Sequence, residues 1–187
     1  MGAGQWRALA LPNFLPDALK GQRRPTVVYS IDPAQSFSLS ENFSVSYVRP
    51  SLTILPYAIA NDLPFYLAAS FYIGINPTDS LVAQNTSDFF FTHSVGGTGV
   101  DLSGQIILLA WESGHIRPFL NALLASYVLT NPPQIPQIPG SPAGSWPDAD
   151  YDTIWTVILD GDGNLTVHNA LCEGIDSASL PATAPQF

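Results

Sequence analysis

Apolar side chains recur along this chain in short blocks separated by proline, glycine and serine, and the blocks alternate between helical and extended character. Gln5–Leu11 predicts a short helix with Trp6, Leu9 and Ala10 on one side, stopped by Pro12. Asn13–Lys20 adds a further helical turn or two, ending at Gly21. Thr26–Ile31 is β-branched and apolar and predicts a buried strand that Asp32-Pro33 closes. Ala34–Tyr47 is polar and serine-rich without helical period, an excursion at the carboxyl end of that strand. Arg49-Pro50 opens a helix over Ser51–Asn61 with Leu52, Leu55 and Ile59 on one face, and Leu63–Ala69 predicts a strand. Between Phe71 and Gly104 the pattern is weak, compatible with a short helix at Thr78–Gln84.

Gln105–Trp111 is an apolar run with the signature of a strand buried on both faces. It leads through Glu112, Ser113, Gly114 and His115 into a helix predicted over Ile116–Val128. The Pro-rich stretch 131–147 cannot join a sheet and reads as a surface loop inside a single domain spanning residues 1–187. Asp152–Leu159 predicts a strand, Asp160–Asn164 a turn and Leu165–His168 the second arm of a terminal β-hairpin, with an extended or loosely packed tail from Glu173. Strands alternating with helices give an α/β class: a mainly parallel sheet flanked by helices.

Charge narrows the possible partners. Six basic residues against 15 acidic ones give a net charge of −9, which repels phosphate backbones, so nucleic acid is not expected as a partner. One or two arginines can still dominate a local pocket, so a small phosphorylated ligand or inorganic phosphate stays open. No apolar run approaches the roughly 18 residues a membrane span needs, and no membrane association is expected. A single cysteine, Cys172, excludes an internal disulfide and leaves the compartment undecided; without a leader pattern the default expectation is cytoplasmic. His93, His115 and His168 are too scattered for a metal motif, and neither metal nor cofactor is expected. Asp160–Asn164 starts like a calcium loop, but Leu165 and Leu171 occupy the places that need Gly and Glu, so it reads as a hairpin turn.

Ligands in open α/β sheets collect at the carboxyl ends of the strands. Ser113 stands where a hydrolase nucleophile would, but that sharp elbow needs small residues two places to either side, and Trp111 and His115 are bulky. Glu112 is a candidate general acid, or a carboxylate placed by the dipole of the following helix. Arg49 precedes the first turn of a helix, where a guanidinium beside free N–H groups suits a phosphate; the alternative is an ion pair with one of the many carboxylates.

Four stretches taken together, GQWRALALP (Gly4–Pro12), YVRPSLTI (Tyr47–Ile54), IILLAWES (Ile106–Ser113) and WPDADYDTIWTV (Trp146–Val157), resemble the histidine phosphatase superfamily. The resemblance implies a phosphoglycerate-mutase-like fold. It also implies a pocket in which an R-H motif after the first strand supplies a nucleophilic His and one Arg, joined by a second Arg, a second His and an acidic proton donor. Arginines and imidazoles neutralise the transferring phosphoryl group while His forms a labile adduct. Arg49 matches the second Arg, Glu112 matches the Glu of the family's W-E-H, and Ser113 stands where the second catalytic His belongs. No Arg in the sequence is followed by His. His115 lies two residues beyond Ser113, which on a helix turns it about 200° away, so it is a weak catalytic candidate.

The resemblance thus implies a degenerate or N-terminally truncated member without the usual first strand, inactive in phosphohistidine chemistry; truncation is the favoured expectation. Two alternatives accompany it: a pseudophosphatase that binds a phosphorylated ligand or a protein, and an active phosphomonoesterase whose R-H segment lies upstream of Met1.

Overall fold

Residues 2–31, 33, 36–40, 43–46, 48–68, 104–113, 116–117, 120–121, 147, 150–159 and 165–186 are described by the computed structural model. The chain opens with helix α1 (Gly2–Ala18), one continuous helix where the sequence predicted two. Pro12 and Pro16 both lie inside it, and neither belongs to the buried set Gly2, Arg7, Ala8, Leu11 and Leu15. Each proline removes one intrahelical bond, but tertiary packing of the Leu11–Leu15 stripe outweighs that local penalty. The buried face is therefore not the predicted one: Leu9 is exposed, while Arg7 joins Leu11 and Leu15 at a spacing of four.

Strand β1 (Val27–Ile31) is buried along its whole length, as its β-branched run predicted. The polar excursion after it contains an antiparallel hairpin, β2 (Ser36–Ser40) and β3 (Phe43–Ser46). Helix α2 (Val48–Ala60) buries Ser51, Ile54, Tyr57 and Ala58, whereas Leu52 and Ile59 face solvent, contrary to the predicted apolar face. It closes through a bond from Leu63 N–H to the Ala58 carbonyl and another from Asp62 N–H to Ile59, with Asp62 at φ 52° in the left-handed region. This is a Schellman ending with aspartate where glycine is usual, and Pro64 follows it. Strand β4 (Phe65–Ala68) then runs parallel to β1.

Strand β5 (Ile107–Ala110) pairs with the other side of β1, also parallel, giving the order β4-β1-β5. It is shorter than the predicted Gln105–Trp111 strand, and half-buried rather than buried on both faces. The strand central to the described sheet and most deeply buried is β1, because β5 ends the β4-β1-β5 sheet. Tyr29 and Tyr66, registered partners on β1 and β4, stack with ring centroids 5.4 Å apart; burial, and then the neighbouring phenol, push the Tyr29 hydroxyl above its ordinary pKa.

Strands β6 (Thr153–Leu159) and β7 (Leu165–Cys172) form the expected hairpin, with β7 longer than predicted. The tail is not loosely packed. Ile175 is buried in the main core with Leu11, Leu15, Val28, Ile54, Tyr57 and Ala58. A 3-10 turn at Ser177–Ser179 is capped by the Asp176 carboxylate, and the Trp6 indole donates to the Thr183 carbonyl at 2.9 Å. A Cβ on Gly2 would run into the Ala182 carbonyl oxygen, so the tail lies directly over the start of α1. The architecture is thus mixed α/β: a parallel three-stranded sheet, helices and a terminal antiparallel hairpin. The predicted helix at Thr78–Gln84, the Pro-rich loop apart from Pro147, and the Asp160–Asn164 turn lie outside the described residues.

Candidate functional site

Parallel strands joined by a helix force that helix to run back against them, so α2 begins at the carboxyl ends of β1 and β4. Arg49, in the first turn of α2, therefore stands at the carboxyl edge of the sheet, and it is exposed. The same edge receives Trp111, Glu112 and Ser113, which leave β5 in the same direction. Trp111 and Glu112 are half-buried, Ser113 is exposed, and the Ser113 hydroxyl donates to Glu112 Oε1 at 3.2 Å. The structure thus gathers three of the sequence candidates, Arg49, Glu112 and Ser113, at one edge, and His115 and His93 lie outside the described residues.

The ion-pair alternative for Arg49 is not realised among the described residues, where the only salt bridges belong to Arg7. An exposed guanidinium in the first turn of a helix adds its charge to the free N–H groups there, the combination that binds oxyanions. Glu112 supplies a carboxyl group and Ser113 a hydroxyl. His168 is the one histidine among the described residues; it sits exposed on β7 and lines a shallow cavity of about 270 Å³ with Gln22, Thr156, Ile158 and Leu171, none of them from the carboxyl edge. The thiol of Cys172 is pushed above its ordinary pKa by partial burial and by Asp152, Asp150 and Glu173, which disfavours a thiolate. No group of three or more metal-ligating side chains occurs among the described residues.

A second polar centre was not anticipated. Arg7, 5% exposed, donates through Nε and Nη2 to Glu173 Oε2 at 3.0 and 2.7 Å, and through Nη2 to Asp152 Oδ1 at 2.9 Å. Its Nη1 donates to the Ile175 carbonyl at 3.0 Å and to Ser177 Oγ at 2.6 Å. Asp152 Oδ1 also accepts from the backbone N–H groups of Gly174 and Ile175. Asp150 prepares β6: its carboxylate accepts from Asp152 N–H, Thr153 N–H and the Thr153 hydroxyl. Burial works against the Asp150 anion, but the Thr153 hydroxyl, the two backbone donors and Arg7 outweigh it and lower the pKa. Glu173 shows the reverse balance, since burial outweighs Arg7 and its pKa is raised. The sequence carried one sign of this centre: a charged residue at position 7 in register with Leu11 and Leu15 on a helix.

No family model, no curated protein and no solved structure matches this chain.

Proposed function

We propose that this chain is a histidine-phosphatase-like domain that holds a phosphorylated ligand or inorganic phosphate at the carboxyl edge of its sheet without phosphohistidine turnover. The observation that carries this reading is Arg49. In a chain with 15 acidic and six basic residues, it stands exposed in the first turn of α2 with no ion pair among the described residues. Two of the four segments on which the family resemblance rests also meet, through the Arg7–Asp152 ion pair, and the other two deliver Arg49 and Glu112–Ser113 to a common edge.

Phosphohistidine chemistry needs an imidazole in line with the phosphorus atom, and Ser113 cannot supply one. Within these 187 residues no Arg-His pair offers the other. Glu112 keeps the position of a proton donor, while Ser113, hydrogen-bonded to it, offers a phosphate oxygen only a neutral contact.

Incubation with a generic phosphomonoester followed by acid-quench labelling is expected to show neither turnover nor phosphoenzyme. Calorimetry with inorganic phosphate is expected to show binding that Arg49→Ala removes. Turnover abolished by that substitution would overturn the non-catalytic part of the reading; absence of any heat with phosphate would overturn the binding part.

A further inference from the structure

The chain leaves β7 through Gly174, whose φ of 77° lies in the left-handed region, and residues 174–186 then run without strand or α-helix. This segment is fastened at few points. Ile175 is buried in the main core and Leu180 packs against that core, whereas residues 174, 176–179 and 181–184 are exposed. The polar fastenings are equally local. The Ile175 carbonyl and the Ser177 hydroxyl accept from Arg7 Nη1, the N–H groups of Gly174 and Ile175 donate to Asp152 Oδ1, and the Thr183 carbonyl accepts from the Trp6 indole. A segment with two apolar anchors and mostly exposed residues opens at lower free energy than a strand buried along its whole length, such as β1.

The centre that fastens it is unbalanced in charge. Glu173 Oε2 and Asp152 Oδ1 both accept from one nitrogen, Arg7 Nη2, at 2.7 and 2.9 Å. Two anions on one cation leave a negative charge uncompensated, and Asp150 adds to it. Among the described residues, the charged groups that face Glu173 are Arg7 on α1 and Asp152 and Asp150 just before β6; Cys172, at the end of β7, is held as a neutral thiol by burial and the same carboxylates. Glu173 is the more enclosed carboxylate of the pair, its side chain 18% exposed against 38% for Asp152, whose Oδ1 has two backbone donors besides Arg7. A proton on Glu173 Oε1, the oxygen that Arg7 does not bond, removes the repulsion and leaves both Arg7 bonds to Oε2 in place.

We propose that residues 173–186 form a detachable strap over α1, and that the Arg7–Asp152–Glu173 centre is its proton-sensitive latch, tightest when Glu173 is protonated and looser when both carboxylates are charged. In the open strap Glu173 faces water and regains its ordinary value of 4.5, while in the closed strap burial outweighs Arg7 and raises that value. Closure is therefore supported in full below 4.5, and that support is lost as pH rises through the closed value. Each unit between the two values is tenfold in the opening constant. The device needs no ligand and is independent of any anion at the carboxyl edge.

Amide hydrogen exchange of the whole 187-residue chain, corrected for the intrinsic dependence of exchange on pH, reads the opening of the strap with β1 as the core reference. The range runs from pH 4.5, above the interval in which Asp150 titrates, to about pH 7. Over it the opening constant of residues 173–186 is expected to rise by at least about twofold while β1 stays protected. Glu173→Gln, which fixes the neutral form, is expected to remove that rise and to keep the strap at least as closed as in the parent at pH 7. Ser177→Ala, which deletes one Arg7 partner and no charge, is expected to raise opening by a common factor at every pH and to leave the rise intact. A smaller change in the parent, or a rise that survives Glu173→Gln, would overturn the latch. Exchange of residues 173–186 no faster than β1 in the parent and in Ser177→Ala would overturn the strap itself.

Discussion

Arg7 and Arg49 are the same side chain in opposite circumstances. Arg7 is buried on the inner face of α1 and fully engaged by two carboxylates, a hydroxyl and a carbonyl. Arg49 is exposed in the first turn of α2 and makes no ion pair among the described residues. A guanidinium whose donors are all taken cannot receive a ligand, but removing it leaves the adjoining carboxylates of Glu173 and Asp152 without their cation, so its role is to hold α1 to β6 and the tail. A guanidinium left open contributes little to stability and is available for recognition. On the proposed reading, the contrast assigns Arg7 to the fold and Arg49 to a ligand.

The largest expected effect follows from breaking the engaged centre. Arg7→Met leaves Glu173 and Asp152 close together without their cation and is expected to destabilise the chain by about 3–5 kcal/mol, read from denaturant unfolding. Arg7→Lys should recover only part of that loss, because an ammonium cannot span Glu173, Asp152, Ser177 and the Ile175 carbonyl together. Asp152→Asn keeps an acceptor for Gly174 and Ile175 N–H but loses the charge, so a smaller cost of about 1–3 kcal/mol is expected in the same assay.

Acid titration separates the carboxylates of this centre. Glu173 holds its proton more tightly folded than unfolded, so its contribution is complete below its ordinary value of 4.5 and declines as pH rises through the folded value. Asp150 has the opposite sign: its contribution is present above its ordinary value of 3.8 and is lost as pH falls through the lower folded value. Unfolding free energy measured against pH should therefore lose its decline above pH 4.5 in Glu173→Gln and lose part of its acid limb in Asp150→Asn.

Much of the fold was legible as pattern. The runs at Thr26–Ile31, Leu63–Ala69 and Asp152–Leu159 gave β1, β4 and β6 within a few residues, because β-branched and apolar runs have few other ways to be buried. Helix faces were read less well. Leu9, Leu52 and Ile59 are apolar but exposed, while Arg7 and Ser51 are polar but buried, and only the partner surfaces decide which stripe turns inward. Pro12 was read as a stop because its local cost is plain in sequence, whereas the packing of Leu11 and Leu15 that overrides it is not. The tail read as extended or loosely packed because Glu173, Ile175 and Ser177 acquire their meaning from Arg7, more than 160 residues away. At the candidate site, Arg49, Glu112 and Ser113 could be named from the sequence, but that Arg49 makes no ion pair among the described residues depends on where the carboxylates fold, which no motif records.

The smallest effect on stability is also the sharpest test. Arg49→Ala should change the unfolding free energy by no more than about 0.5 kcal/mol, in contrast to Arg7→Met. Thermal unfolding of the parent chain and of Arg49→Ala, each with and without inorganic phosphate, measures both halves of the contrast at once. The account predicts that phosphate raises the melting temperature of the parent and not of Arg49→Ala, with the two equal when phosphate is absent. A phosphate-independent parent, or an Arg49→Ala chain that is destabilised yet still responds to phosphate, would contradict it.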